Sequence, residues 1–145
     1  MHLLALGLGS GLSPKAPGTA GSLAALLLFI PLAALGTEWA VLATLLACVL
    51  GVPICEYTSR QLGGDHGAIV WDEFAGLWLC LLFALPEPVW WLLAFALFRL
   101  FDVLKPWPIR WLDKNLHGGM GIMLDDLLAG AMAAFVLLLV QYAFA

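Results

Sequence analysis

Two pairs of adjacent acidic residues interrupt stretches of sequence that are otherwise almost wholly apolar. Asp72 and Glu73 lie in one such stretch, and Asp125 and Asp126 lie near the start of another. A carboxylate inside a membrane span costs roughly 2.5–3.5 kcal/mol at the helix centre, so such acids are candidates for function. Clustered carboxylates repel one another unless protons or cations compensate them. A hard divalent cation such as Mg²⁺, held by oxygen ligands, is therefore the predicted partner.

A fifth acid, Asp102, lies three positions after a basic residue, Arg99. Residues three or seven apart share one face of a helix, so Arg99 and Asp102 point the same way, as do Asp65 and Asp72. Adjacent helical residues point about 100° apart, so we expect one acid of each pair to face a site and its neighbour to brace the helix or a base. The alternative is that these acids are interfacial charges that pair with bases and anchor helix ends. Their number favours a site.

Two glycine-rich segments precede apolar stretches and suggest contact with an anion. Residues 7–19 are rich in Gly and Pro and contain one lysine, Lys15. Backbone N–H groups at a helix N-terminus favour anions, and glycine lets an anion approach the backbone. The segment lacks the Gly-Lys-Ser/Thr ending of a Walker A loop, and a plain connector with Thr19 as the helix N-cap is the alternative. Residues 118–121, which follow His117, form a second such loop or a simple flexible turn.

The composition indicates that an all-α membrane protein carries these residues. Of the 145 residues, 63% are hydrophobic and 11% are charged, and the mean hydropathy is +1.01. Soluble domains carry about 25% charged residues. The length suits a single domain, residues 1–145. A transmembrane helix needs about 20 mostly apolar residues. The sequence therefore predicts a polytopic bundle of about five spans, approximately Thr19–Leu35, Trp39–Ile54, His66–Pro86, Glu87–Val103 and Gly121–Phe144.

The distribution of basic residues predicts the orientation of the bundle. Folding the five spans back and forth places all six Lys and Arg residues on one side, and the other side receives none. Loops rich in Lys and Arg stay cytoplasmic, so we expect the N-terminus and the acidic site to face the cytoplasm. If the third and fourth spans stopped at their charges, they would form a re-entrant hairpin instead. No basic stripe for nucleic acid exists, and the three cysteines match no zinc or disulfide pattern.

Five short blocks of the sequence are specific in combination: Gly9–Thr19, Val70–Phe74, Phe98–Asp102, Lys105–Pro108 and His117–Asp126. In these blocks and in their order, the chain resembles the phosphatidylglycerophosphatase A family over essentially its whole length. The resemblance implies a Mg²⁺-dependent, multi-pass phosphatase of the bacterial inner membrane. Such an enzyme hydrolyses phosphatidylglycerophosphate to phosphatidylglycerol and phosphate.

The predicted site combines metal ligands with groups that bind a phosphorylated lipid headgroup. The expected catalytic residues are Asp72, Glu73, Asp102, Asp125 and Asp126, and the expected Mg²⁺ ligands among them are Asp72, Glu73 and Asp126. No motif of a covalent phosphoenzyme is present, so we expect direct attack of water, with Glu73 or Asp65 as the candidate general base. The residues expected to bind substrate are Lys15, Gly18, Thr19, Arg99, Lys105, Arg110 and His117.

Two other functions are open to these residues. A phosphotransferase that uses a nucleotide-activated lipid would carry an Asp-Gly-x2-Ala-Arg signature, which is absent. A channel, carrier or scaffold would distribute acids along a path through the bilayer, but the outer half of the predicted bundle holds no ionisable residue apart from loop acids. A phosphatase whose partners are its substrate and the surrounding membrane lipids is the preferred interpretation. The sequence leaves open the number of cations, which carboxylate is a ligand and which the base, whether an aspartate forms a phosphoenzyme, and the oligomeric state.

Overall fold

The computed structural model describes residues 1–64 and 66–145, and every regular element in this part of the chain is a helix. This confirms the predicted all-α class. Asp65, one of the two candidate bases, lies outside the described residues. In chain order the helices are α1 (His2–Ala5), a 3₁₀ helix (Gly7–Leu12), α2 (Pro17–Leu35), α3 (Thr37–Leu62), α4 (Trp71–Leu81), α5 (Pro88–Leu104), α6 (Ile109–Asn115) and α7 (Gly118–Phe144).

Three of these helices, α2, α3 and α7, are long and apolar enough to cross a membrane. They contain 19, 26 and 27 residues. α3 continues beyond the predicted end at Ile54 as far as Leu62 and stops at Gly63. The φ of Gly63 is +82°, a left-handed conformation that ends helices and that glycine adopts without strain. α7 begins at Gly118, so the loop predicted for residues 118–121 is instead the first turn of a helix.

The third and fourth predicted spans form a hairpin of shorter helices, and five full spans are not confirmed. α4 has only 11 residues. At 1.5 Å per residue it rises about 16 Å, roughly half of a hydrocarbon core of about 30 Å. Turns follow Leu81, and Pro86 and Pro88 cannot donate the backbone hydrogen bonds that would extend the helix. α5, with 17 residues, forms the second arm of this hairpin.

α4 is the central helix of the bundle. Nine of its 11 residues are buried, and it packs against α2, α3, α5 and α7. The indole N–H of Trp71 donates to the carbonyl of Ala47 on α3 at 3.1 Å. The indole N–H of Trp78 donates to the carbonyl of Ala25 on α2 at 2.8 Å. Because other helices enclose α4, the acids of its first turn face protein groups and not lipid.

A buried glutamine on α7 supports the turn that ends α4. The side-chain amide of Gln141 donates to the carbonyl of Phe83 at 3.0 Å and accepts from the N–H of Leu85 at 2.8 Å. Apolar surroundings offer no water to backbone groups that a broken helix leaves without partners. Gln141 therefore lets the chain reverse within an apolar region. The apolar pattern of the last predicted span gave no indication of this role.

Two glycines bring α4 and α7 into direct backbone contact. A Cβ added at Gly76 would lie 2.5 Å from the carbonyl oxygen of Asp126. A Cβ added at Gly130 would overlap the carbonyl oxygen of Gly76. Small residues at helix crossings allow this close approach. The crossing sets the acids at the start of α4 beside Asp125 and Asp126.

Gly130→Ala is expected to destabilise the protein by about 1–3 kcal/mol because the added methyl group overpacks this crossing. Alanine favours a helix over glycine by about 1 kcal/mol, which offsets only part of the clash. Thermal unfolding of the purified protein in detergent measures the difference. Gly67→Ala is the matched control, since its Cβ would meet only the Pro17 side chain, at 3.9 Å. An unchanged midpoint of thermal unfolding for Gly130→Ala would contradict the close packing of α4 against α7 at this crossing.

Candidate active site

The structure brings all five predicted catalytic acids together at one end of the bundle. Asp72 and Glu73 come from the first turn of α4, and Asp125 and Asp126 from the N-terminal part of α7. Asp102 comes from the last turn of α5. The first four are buried, and Asp102 is half-buried. Both acids of each pair lie in the cluster, and Asp125 also accepts a hydrogen bond from Lys105, as expected of an acid that braces a base.

The five carboxylates form two overlapping groups of three. Oxygen atoms of Asp72, Asp125 and Asp126 all lie within 4.8 Å of one another. Oxygen atoms of Glu73, Asp102 and Asp126 meet the same limit. Asp126 belongs to both groups and therefore lies at the centre of the cluster. Three helices contribute to it, as the sequence predicted.

Arg99 connects this cluster to the N-terminus of α2. Its guanidinium Nη1 donates to Asp102 Oδ2, one turn along the same helix, in a close ion pair. The same nitrogen lies 3.5 Å from Glu73 Oε1 on α4. Nη2 lies 3.5 Å from Thr19 Oγ1 on α2. The predicted sharing of a helical face by Arg99 and Asp102 is confirmed, and one planar group contacts three helices.

Lys105 occupies the opposite edge of the cluster. Its Nζ donates to Asp125 Oδ2 at 2.9 Å and to Asp113 Oδ1 on α6 at 2.7 Å. Burial by itself lowers the pKa of the Lys105 ammonium group, but hydrogen bonds and ion pairs with the two aspartates raise that pKa well above its usual range. The backbone of Lys105 has a φ of +45°, which is uncommon for a residue with a Cβ. Lys105 is thus a permanent cation that links α5, α6 and α7.

The start of α2 packs directly on the Glu73–Arg99 pair. A Cβ at Gly18 would lie 2.5 Å from Glu73 Oε1 and 3.1 Å from Arg99 Nη1, so only glycine fits without a shift. α2 begins at Pro17 with Ala16 as its N-cap, so Thr19 is not the cap that the connector alternative required. Gly18 and Thr19 instead lie in the first helical turn. Their backbone therefore lies beside a carboxylate and a guanidinium group.

A contact that the sequence did not indicate positions α7. Glu56 Oε2 on α3 accepts a hydrogen bond from the backbone N–H of Gly119 at 2.5 Å. Glu56 Oε1 accepts another from Arg60 Nε at 2.7 Å. A carboxylate at a helix N-terminus satisfies an open backbone N–H and opposes the positive end of the helix dipole. Glu56 therefore explains why residues 118–121 are helical although three of the four are glycine.

Three predicted substrate-binding residues lie outside these contacts. Lys15 and Arg110 are exposed, and the side chain of neither makes a hydrogen bond or ion pair with the rest of the described chain. His117 is exposed at the start of α7. It lines a cavity of about 140 Å³ that also reaches Asp113 and Asp125. Arg110 lines a separate groove on α6.

The donor set at the cluster fits a hard divalent cation. The five acids offer carboxylate oxygens, which are the ligands that Mg²⁺ prefers. Asp126 is only 3% exposed, and its Oδ2 has no hydrogen-bond partner among the described residues. A buried carboxylate oxygen without a donor is costly unless a cation or a proton compensates it. The residues present therefore match the predicted metal.

The chain was compared with known proteins. A family model described as Phosphatidylglycerophosphatase A matches residues 3–141. Phosphatidylglycerophosphatase A of Escherichia coli (strain K12) is 51% identical over 139 residues, which cover 94% of this chain and 80% of that protein. Phosphatidylglycerophosphatase A of Haemophilus influenzae is 50% identical over 146 residues, which cover 98% and 89%.

A third relative, from Bacteroides thetaiotaomicron, carries the provisional name phosphatidylinositol-3-phosphatase. It is 41% identical over 147 residues, which cover 95% of this chain and 91% of that protein. No solved structure matches the chain. The family model and the first two relatives agree with each other over nearly the whole length. The chain therefore belongs to the phosphatidylglycerophosphatase A family.

Proposed function

We propose that this protein hydrolyses the terminal phosphate of phosphatidylglycerophosphate, releasing phosphatidylglycerol and inorganic phosphate, with Mg²⁺ as cofactor. The observation that carries the proposal is the buried cluster of five carboxylates with Arg99 at its edge. A site of this kind combines acidic side chains that can bind a metal ion with a positively charged side chain that can bind a phosphate group. The names of the two relatives that are at least 50% identical support the choice of substrate.

The carboxylates would hold the cation, with Asp72, Glu73 and Asp126 as the first candidates. When bound, Mg²⁺ polarises the phosphoryl group and lowers the pKa of a coordinated water. Asp102 and Asp125 are braced by Arg99 and Lys105 and complete the oxygen-rich surroundings. Glu73 lies next to Arg99, where it serves either as a ligand or as the base that accepts a proton from the attacking water.

The phosphate would bind between Arg99 and the first turn of α2. The guanidinium group of Arg99 offers several N–H donors in one plane, an arrangement that suits phosphate oxygens. Backbone N–H groups of Gly18 and Thr19 belong to the open N-terminal turn of α2, which favours anions. Lys15, exposed just before this turn, adds a mobile positive charge. These donors would neutralise charge on the transferring phosphoryl group. Lys105, Arg110 and His117 stay candidates for contacts with the rest of the headgroup.

Phosphate release from phosphatidylglycerophosphate by the purified full chain in detergent tests the proposal. We expect turnover with Mg²⁺ and its loss when a chelator is added. Phosphatidylinositol 3-phosphate serves as the comparison substrate because of the third relative's name. Faster hydrolysis of that lipid would reject the proposed substrate while keeping a lipid phosphatase. No release from either lipid by folded protein would reject the phosphatase function.

We further propose that the acidic end of the bundle faces the cytoplasm of a bacterial inner membrane and that the chain crosses the membrane several times. Lys114→Cys at the acidic end should react with a membrane-impermeant maleimide only after cells are permeabilised. Glu38→Cys at the other end should react in intact cells. Reversed labelling would contradict the orientation. Glu87→Cys lies in the α4–α5 connection. If α4 and α5 both span the membrane, this cysteine should react in intact cells, like Glu38→Cys. If it reacts neither in intact nor in permeabilised cells, α4 and α5 form a re-entrant hairpin instead.

A further inference from the structure

Asp126 belongs to two different groups of three carboxylates, which raises the question of how many cations the cluster holds. It forms one group with Asp72 and Asp125 and a second group with Glu73 and Asp102. We propose that the cluster holds two divalent cations that share Asp126 as a common ligand. The inference rests on the proposed function and adds the stoichiometry of its metal site.

The division of the acids into two groups follows from the geometry of α4. Asp72 and Glu73 are adjacent, so their side chains leave the helix about 100° apart. Both are nevertheless buried, because α7 and α5 cover neighbouring faces of the same first turn. Asp72 therefore joins the α7 acids, and Glu73 joins Asp102 of α5 together with Asp126. Neither group of three in the described part of the chain contains both Asp72 and Glu73.

The distances suit one cation in each group. Mg²⁺ binds oxygen at about 2.0–2.1 Å, so two ligands on opposite sides of the ion lie about 4.2 Å apart. In each group the three oxygens lie within 4.8 Å of one another, a bound slightly larger than this separation of opposite ligands. Small side-chain movements would close each group around an ion. Many phosphatases hold pairs of cations about 3.5–4 Å apart, and Asp126, which belongs to both groups, is the acid that could be shared by such a pair.

A second observation, besides the grouping of acids, points to a ligand at Asp126. Only 3% of Asp126 is exposed, and its Oδ2 atom has no hydrogen-bond partner among the described residues. Arg99 and Lys105 pair with other members of the cluster, and neither of them is bonded to Asp126. Asp126 is thus a buried acid that neither of these two basic side chains neutralises.

The charge of the site also favours two ions. Asp113 also pairs with Lys105, so six ionised carboxylates exceed the charge of Arg99 and Lys105 by four. One divalent cation would leave a net negative site, which repels a phosphate monoester. Two divalent cations would make the site neutral and remove this repulsion. The second ion therefore reconciles an acidic cluster with an anionic substrate, and it makes Glu73 a ligand and not the general base.

Manganese counting tests the proposal on the full-length protein purified in detergent. Mn²⁺ serves as the probe, with bound ions counted by equilibrium dialysis and their proximity read by electron paramagnetic resonance. We expect about two Mn²⁺ per chain with the spectrum of a spin-coupled pair. Asp102→Asn should leave about one ion with an uncoupled spectrum, and Asp126→Asn should weaken both. Glu87→Gln, an exposed acid in the α4–α5 connection, is the control and should retain two coupled ions.

The wild-type protein decides the outcome even if a variant fails to fold. One Mn²⁺ per wild-type chain, or two ions without spin coupling, would overturn the shared site. If the chelator-sensitive release of phosphate is retained in that case, the proposed function stands without it. Two coupled ions in a protein that hydrolyses neither lipid would support the metal pair and reject the phosphatase. The two failures are therefore distinguishable.

Discussion

Asp126→Asn should lower phosphate release from phosphatidylglycerophosphate by about 10³-fold or more, a loss at the upper end of that seen when one group that stabilises transition-state charge is removed. Asparagine keeps the size of the side chain but removes its charge and one oxygen ligand. Asp126 lies in both groups of carboxylates, so no neighbour can take its place. Initial rates at saturating Mg²⁺, with a chelator blank for each variant, measure the effect.

Two comparisons make this result specific. Glu87→Gln also removes one acidic charge, but from an exposed site in the α4–α5 connection, and it should leave the rate unchanged. Asp72→Asn removes a ligand from one group only, and it should also reduce the rate severely. The variant proteins should elute like the wild type in size-exclusion chromatography. Wild-type rates for both Asp72→Asn and Asp126→Asn would reject the metal assignment.

Arg99→Lys should lower kcat by about 10²–10³-fold, although the positive charge is retained. The guanidinium group contacts Asp102, Glu73 and Thr19, on three different helices. An ammonium group is a single point charge and cannot reproduce this planar fork. The substitution is expected to weaken stabilisation of the charge that develops on the phosphoryl group in the transition state. For this reason kcat should fall more than KM rises. Steady-state kinetics with phosphatidylglycerophosphate in mixed micelles separate the two constants.

Arg60→Lys provides the matched control for Arg99→Lys. Arg60 pairs with Glu56 within α3, and 77% of its side chain is exposed. An exposed pair of this type contributes little to stability, typically about 0.3–0.5 kcal/mol between positions four apart on a helix. We expect kinetic constants close to those of the wild type. Equal losses in the two variants would mean that Arg99 acts through general folding and not through the phosphate.

The sequence by itself determined the class of protein and identified the residues that are candidates for its chemistry. Apolar runs of about 20 residues predict membrane helices because no other element satisfies its own backbone in lipid. Acids within those runs stand out as candidates for function, since burying them has a high energetic cost. The spacing of Arg99 and Asp102 predicts a shared face from helical geometry alone. These inferences depend on local rules, so they needed no knowledge of how the helices pack.

Helix boundaries depended on contacts that are distant in sequence. The glycines at 118–121 suggest a loop, but Glu56 from α3 stabilises the first turn of α7. Hydropathy predicts a full span around α4, yet the helix ends at Leu81 because Gln141, 60 residues later, supplies hydrogen bonds to the turn. A local pattern cannot contain such partners.

Only the tertiary structure decided which acids lie close to one another. Helical geometry separates adjacent residues, and the sequence therefore predicts that one acid of each pair faces the site while its neighbour braces the helix or a base. The crossing at Gly76 and Gly130 encloses α4 so closely that both of its acids face carboxylates of other helices. The same packing places Asp126 between them and Lys105 against Asp125. Residue types therefore determined what chemistry is available, and the approach of three helices determined which acids lie close together.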